Sequence, residues 1–167
     1  MFWSYIRQDA SANNNNTKGK FVMMLFRTAA YVSQRKVTRI LFIPYLIFYR
    51  LFVEWFMGIE LPWQVKAGKG LALFHGQATV VNKTVVFGEN CTLRQSTTIG
   101  NATQDGASPI IGNNVSIGAN VCIIGAISIG DNVSIGAGSV VVKSIPSNSI
   151  AVGNPAKVIK TVGNETS

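Results

Sequence analysis

An aliphatic residue returns at every sixth position from Ile111 to Val141, through Ile117, Ile123, Ile129 and Ile135, and a glycine follows four of the first five. The same frame runs backwards through Ile99, Leu93, Phe87 and Val81. Six residues are too few for a helical repeat and too regular for a sandwich. The period fits a chain wound into stacked coils, each hexad supplying one short strand and one tight turn. Three hexads close a triangular coil. On an uninterrupted count Val81, Ile99, Ile117 and Ile135 share one interior column, Phe87, Ile123 and Val141 a second, and Leu93, Ile111 and Ile129 a third. The residue after each aliphatic position turns a corner, where glycine relieves strain and a pair such as Asn113-Asn114 accepts turn geometry. Positions four further on, Val115, Val121, Ile127, Val133 and Ser139, face inward as well and are small or β-branched. One strand cannot bury its own apolar face, so stacked neighbours must supply the core.

The 167-residue length suits one domain, and its net charge of +8 is unevenly spread. Residues 1–70 hold ten Lys and Arg against three Asp and Glu, while residues 71–167 hold five against four. The aromatic residues of the basic part lie in an apolar run and are not interleaved with the cations, which argues against nucleic acid as a partner. The opening from Met1 to Lys20 is polar and lacks a secretory pattern, so a cytoplasmic protein with two reduced thiols, Cys91 and Cys122, is expected.

Four regions follow: a mobile polar segment over 1–20, a helical segment over 21–60, the β-helix over 61–153, and a C-terminal tail over 154–167. The helical segment predicts helices over 21–34 and 38–57, with Pro44 as a break. Its apolar run from Ile40 to Tyr49 is interrupted by Arg50 and Glu54 before a spanning length of about 20 residues is reached. Two readings stand for that run. It packs on the first coil and on a neighbouring subunit, or it makes a peripheral membrane contact, at the inner face of the plasma membrane, with Arg27, Arg35, Lys36, Arg39 and Arg50 facing anionic headgroups.

Departures from a local rule tend to mark function, and the hexad frame breaks twice. Leu73 to Val81 is eight residues, placing two extra near Phe74-His75-Gly76. Between Ile99 and Ile111 the segment from Gly100 to Pro109, with Asp105 in the frame position, has no large aliphatic residue and is expected to leave the coil as a loop over 101–109. His75 is the only histidine in the chain. As a lone histidine it reads as a surface or structural residue; at a frame break beside Gly76 it reads equally as a general base working near neutral pH. One histidine and two cysteines without metal-ligand spacing make no zinc site, and no metal is expected.

The segments Ala67-Gly68-Lys69-Gly70, Phe74-His75-Gly76, Leu93-Arg94-Gln95-Ser96-Thr97-Thr98-Ile99-Gly100-Asn101, Ile135-Gly136-Ala137-Gly138-Ser139 and Gly153-Asn154-Pro155-Ala156-Lys157 carry a resemblance. The chain resembles the serine acetyltransferase-like hexapeptide-repeat acyltransferases, and among them the colanic acid and capsular polysaccharide O-acetyltransferases, over about residues 25–160. The resemblance implies a left-handed parallel β-helix, a homotrimer, and acetyl-CoA bound in a groove between adjacent subunits. It places His75 on the family's catalytic histidine. Glu60 falls on an acidic position that orients the imidazole, although a helix cap or a solvated carboxylate fits its sequence context as well. Asn101 matches a loop position near the cofactor. Ala119 and Ala137 match positions where small side chains admit pantetheine, a role that shares its requirements with tight turn packing. Lys157 matches a basic position near the CoA phosphates.

Two departures bear on the acceptor. Serine acetyltransferases carry Asp before the catalytic histidine and a second histidine before a loop proline, where this chain has Phe74 and Ser108-Pro109. The reading that follows is acetyl transfer from acetyl-CoA to a hydroxyl of a capsular or exopolysaccharide sugar precursor. Serine O-acetylation and a non-catalytic hexapeptide scaffold are the alternatives.

Overall fold

In the computed structural model, which describes residues 2–161, a helical segment leads into a parallel β-solenoid of about five coils. The helical part comprises α1 (Phe2–Ile6), α2 (Thr17–Ser33), α3 (Lys36–Leu41) and α4 (Ile43–Tyr49), and the last continues as a π-helical turn over Arg50–Phe56. The first coil holds β1 (Ile59–Glu60), β2 (Lys66–Ala67) and β3 (Ala72–Phe74). The second holds β4 (Thr79–Val81), β5 (Val86–Phe87) and β6 (Thr92–Arg94). The third holds β7 (Thr98–Gly100), β8 (Ile110–Ile111) and β9 (Ser116–Ile117). The fourth holds β10 (Cys122–Ile124), β11 (Ser128–Ile129) and β12 (Ser134–Ile135). Then come β13 (Val140–Val141), β14 (Ser149–Gly153) and β15 (Ala156–Thr161).

These strands form three faces, β1-β4-β7-β10-β13 (face A), β2-β5-β8-β11 (face B) and β3-β6-β9-β12-β14-β15 (face C). Every pairing is parallel except β14 with β15. The hexad residues are interior as expected, together with Val115, Val121, Val133 and Ser139, while Ile127 is half-buried.

The interior columns differ from the uninterrupted count. Ile99 stacks on Ile123, not Ile117, while Ile123 stacks on Val141 as counted. Phe87 stacks on Ile111 and Ile111 on Ile129, while the pairing of Thr92 with Ser116 sets Leu93 beside Ile117. The cause is the loop. The chain from β7 to β8 turns one corner, so one hexad's worth of it is extruded and everything beyond moves back by one face.

The corners are built by left-handed residues. Asn90, Asn114, Asn132 and Asn148 have φ between 55° and 59° and join in a ladder of side-chain amides at 3.3, 3.0 and 2.8 Å. Asparagine suits this position because its short polar side chain bonds locally in the αL region.

The polar N-terminal segment is not a mobile loop. Asp9 and Asn13 are buried, and their side chains saturate the open backbone edge of β3 and the turn before it. Asn13 donates to Leu71 O and accepts from Leu73 N, both at 2.9 Å; Asn16 donates to Leu73 O at 2.7 Å; Leu71 N donates to Asp9 at 2.9 Å. An unpaired strand edge is costly when buried, and this asparagine tract stands in for a missing strand. Arg27 of α2 is also buried, paired to Asp9 at 2.7 Å and donating to Ala67 O and Gly68 O.

The helix expected over 38–57 is divided at Phe42, just before Pro44, and widens after Tyr49, where Met57 N bonds back to Phe52 O at 2.9 Å. Tyr49 is buried and its hydroxyl donates to Leu61 O at 2.6 Å, tying the helix to the first coil. Among the described residues no helix is long and apolar enough to cross a membrane. The region expected as a C-terminal tail forms β15 over its described part, an antiparallel strand on β14; residues 162–167 lie outside the described residues.

Candidate active site

Three of the expected site residues, His75, Ala119 and Ala137, belong to one corner of the solenoid. At the corner from face C to face A, the N–H of each left-handed residue bonds to the carbonyl before its counterpart one coil down: Ser96 to Gln77, Asn120 to Gln95 and Gly138 to Ala119, at 2.8 to 3.1 Å. Gln77, Gln95, Ala119 and Ala137 therefore stack in one corner column. His75 and Gly76 are the two extra residues, and they bulge from the first coil at this same corner. Gly76 N bonds to Phe74 O at 2.8 Å across His75, whose φ is +65°. That is a γ-turn with a bulky residue at its centre, a conformation costing about 1–3 kcal/mol.

What holds the turn is the first coil. A Cβ on Gly76, whose φ is +74°, would lie 3.1 Å from side-chain atoms of Ile59 and Leu73, and Ala78 N bonds to Gly58 O at 2.8 Å. The imidazole is thereby exposed, and it makes no hydrogen bond among the described residues. Beside it the Arg94 guanidinium lies 5.8 Å over the Phe74 ring.

The column above His75 is narrow-walled. A Cβ on Gly118 would meet Ala137 N at 2.6 Å, so successive coils touch backbone to backbone there. Ala119 is half-buried and Ala137 exposed. Continuing the β12–β14 register sets Gly153 above Ala137, and Lys157 of β15 pairs with Val152 beside it. At about 4.8 Å per coil, the corner runs about 19 Å from His75 to the Gly153 hairpin. Its one orphan polar atom is Gln95 Oε1, buried without a partner among the described residues. Such an unpaired buried acceptor is uncommon in a folded chain. Sequence reading missed Gln95; the signal was a long polar side chain at a corner where its successors are alanines.

Glu60 and Asn101 lie away from this corner. Glu60 is exposed on β1 and opens an outward column of face A, pairing with Val80, which pairs in turn with Thr98. Among the described residues it makes no hydrogen bond to His75 and caps no helix. Asn101 stands at the opposite edge of face A, where its side chain is taken up by the extruded loop. It accepts from Asn82 Nδ2 at 2.7 Å and donates to Thr103 O and to Gln104 O. A second tie joins Thr84 Oγ1 to Ser108 Oγ at 2.7 Å. Asn82 and Thr84 were missed as well, because only the fold brings them beside the loop. Glu60, Val80, Asn82, Thr98 and Asn101 line a groove of about 410 Å³ on face A. Among the described residues no three His, Cys, Asp or Glu side chains cluster to hold a metal ion.

A triangular solenoid with a histidine bulge at one corner and an extruded loop at the next is the architecture of a hexapeptide-repeat transferase. Residues 108–143 match the family described as bacterial transferase hexapeptide (six repeats). The chain is 40% identical over 156 residues to the Escherichia coli (strain K12) protein named colanic acid biosynthesis acetyltransferase WcaB, covering 90% of this chain and 96% of that one. It is 36% identical over 141 residues to a Staphylococcus aureus (strain Mu50) serine acetyltransferase, covering 83% of this chain and 61% of the other. The crystal structure of Brucella abortus strain S19 serine acetyltransferase in complex with coenzyme A superimposes with a TM-score of 0.80 at 29% identity, over 96% of this chain and 69% of that one. The chain belongs to the hexapeptide-repeat acetyltransferases.

Proposed function

We propose that this acetyltransferase moves the acetyl group of acetyl-CoA to a hydroxyl of a capsular or exopolysaccharide sugar precursor, with His75 as general base. The observation that carries this reading is the strained, exposed His75 at the foot of the corner column. An alcohol is a weak nucleophile until a base removes its proton, and a histidine held out from the coil by a γ-turn is free to meet one. Acetyl-CoA supplies a thioester-activated acetyl group. The corner fits it: Ala119 and Ala137 leave room beside the backbone, and Lys157 stands at the far end as a point charge for phosphate. Glu60 on β1 is the second catalytic group of this reading, in support of His75.

Asn101 and the Ala119–Ala137 corner lie at opposite edges of face A, and setting one chain's Asn101 edge against another's corner would bring both groups onto one cofactor. This supports a homotrimer in which one subunit's loop meets its neighbour's corner. A sugar acceptor is favoured over free serine because the charged or titratable groups that serine acetyltransferases carry beside the catalytic histidine and in the loop are replaced by Phe74 and Ser108. Serine remains the second reading, favoured by the similarity to serine acetyltransferases. The apolar, basic helical segment favours a peripheral membrane contact on the cytoplasmic side.

The test is CoA release from acetyl-CoA with serine, nucleotide-sugars and lipid-linked sugars offered in turn. His75→Ala should lower turnover by about 10² to 10⁴-fold while CoA binding persists. Unchanged turnover in that variant overturns the mechanism, and efficient use of serine alone overturns the acceptor.

A further inference from the structure

Three depressions adjoin one another between the helical segment and face A, and their character changes in order. The first is an apolar groove of about 410 Å³ lined by Ile40, Ile43, Leu46 and Ile47, with Arg39 and Arg50 among its walls and Trp63 at one side. The second, of about 280 Å³, shares Arg50 and Trp63 with the first and adds Glu54, Gln64 and Lys83. The third is the face A groove, which shares Pro62 and Lys83 with the second and carries Glu60, Asn82 and Asn101. A path therefore leads from an apolar trough, across a saddle between a guanidinium and an ammonium, to the face A groove that carries Glu60 and Asn101.

The charge at the saddle selects the ligand. Three cations along the path, Arg39, Arg50 and Lys83, face two acids, Glu54, which is 3.5 Å from Arg50, and Glu60, which lies on the face A side of Lys83. The Arg50 side chain stays 63% exposed in that pair, so its charge is available to another anion. A second copy of this chain laid on the groove would bring like charges together, which disfavours that occupant. We infer that the path binds an amphiphile in which a hydrocarbon chain is joined through phosphate to the sugar that is acetylated. The chain lies along Ile40, Ile43 and Ile47, the phosphate between Arg50 and Lys83, and the sugar on face A. This rests on the sugar O-acetyl transfer proposed above and gives the acceptor its class.

Binding of small probes reads the site without turnover, so a failure of acetyl transfer leaves this result standing. Farnesyl phosphate, farnesol and inorganic phosphate are titrated by calorimetry into the full-length protein. Farnesyl phosphate should bind at least about tenfold more tightly than either fragment, the factor that about 1.4 kcal/mol of charge-assisted contact represents. Arg50→Gln should remove that advantage and leave farnesol binding unchanged, whereas Ile47→Asp should weaken both. Both positions are exposed, so neither variant disturbs the core. Equal binding of farnesyl phosphate and farnesol, or indifference to Arg50→Gln, overturns the inference. So does Arg50-dependent flotation with phosphatidylglycerol vesicles in the absence of farnesyl phosphate binding, which would make this face a bilayer contact instead.

Discussion

Asp9 and Arg27 meet in a two-pronged ion pair, Nε to Oδ2 at 2.7 Å and Nη2 to Oδ1 at 3.0 Å, with each side chain only 2% exposed. The pair is saturated from outside, since Asp9 also accepts from Leu71 N and Arg27 also donates to Ala67 O and Gly68 O. It clamps the helical segment to the first coil. Removing one partner leaves an uncompensated buried charge, so Arg27→Met should cost about 3–5 kcal/mol in denaturant-induced unfolding. A loss under 1 kcal/mol would show that the clamp is not needed for stability.

Two glycines at the corner column should respond to alanine for different reasons. At Gly118 the new Cβ strikes backbone, 2.6 Å from Ala137 N and 2.8 Å from its Cα, and neither atom can yield cheaply. Gly118→Ala should cost about 1–3 kcal/mol by overpacking. Gly138 has open space around its Cβ site but a φ of +72°, so Gly138→Ala should cost about 1 kcal/mol from backbone strain alone. Denaturation midpoints of the two variants check the order.

The loop over 101–109 is held mainly by Asn101. Asn101→Ala deletes its bonds to Asn82, Thr103 and Gln104 without touching an interior column. Limited proteolysis between residues 102 and 108 should accelerate about tenfold, equivalent to about 1.4 kcal/mol of lost anchoring. The far-ultraviolet circular dichroism should stay that of the parent.

Glu54 gives stability a pH dependence of known sign. Burial raises its carboxyl above the ordinary value; Arg50 opposes the shift and Glu60 adds to it. A carboxyl whose pKa rises on folding contributes stability that is complete below its unfolded value and lost as pH climbs through the folded one. Stability should therefore decline over the pH range just above ordinary carboxylate titration, and Glu54→Gln should flatten that limb in a series of melting curves.

The two thiols differ in access. Burial raises both, and Cys91 is fully enclosed while Cys122 is half-exposed on face A. Alkylation followed by mass spectrometry should label Cys122 first, at a rate rising with pH, and reach Cys91 only on unfolding.

The hexad pattern is legible in the sequence because each inward residue is chosen by the same local geometry, and Ile111 to Val141 all point inward in the fold. Their vertical partners across the loop were not legible, whereas the pairs within each side, Val81 with Ile99 and Ile117 with Ile135 among them, were. Partnership depends on how many residues the loop after Ile99 consumes, and a polar stretch carries no mark of whether it winds or leaves. His75 was legible as a break in frame, but its γ-turn required knowledge that Ile59 and Leu73 close behind Gly76. The asparagine tract at Asn13–Asn16 misled for a physical reason: polar residues read as solvated until the backbone edge they satisfy is known. Gln95, Asn82 and Thr84 belong to the same class, since each takes its meaning from a neighbour a coil away.

The caps at the two ends decide how the solenoid behaves as a material. Each coil exposes to the next the same row of backbone donors and acceptors, so a bare end of one molecule complements the opposite end of another. Such a contact is head-to-tail and does not close on itself, which is the geometry of an open filament. Asp9, Asn13 and Asn16 at one end, and the reversed strand β15 at the other, turn a polymerisable stack into a particle of fixed length.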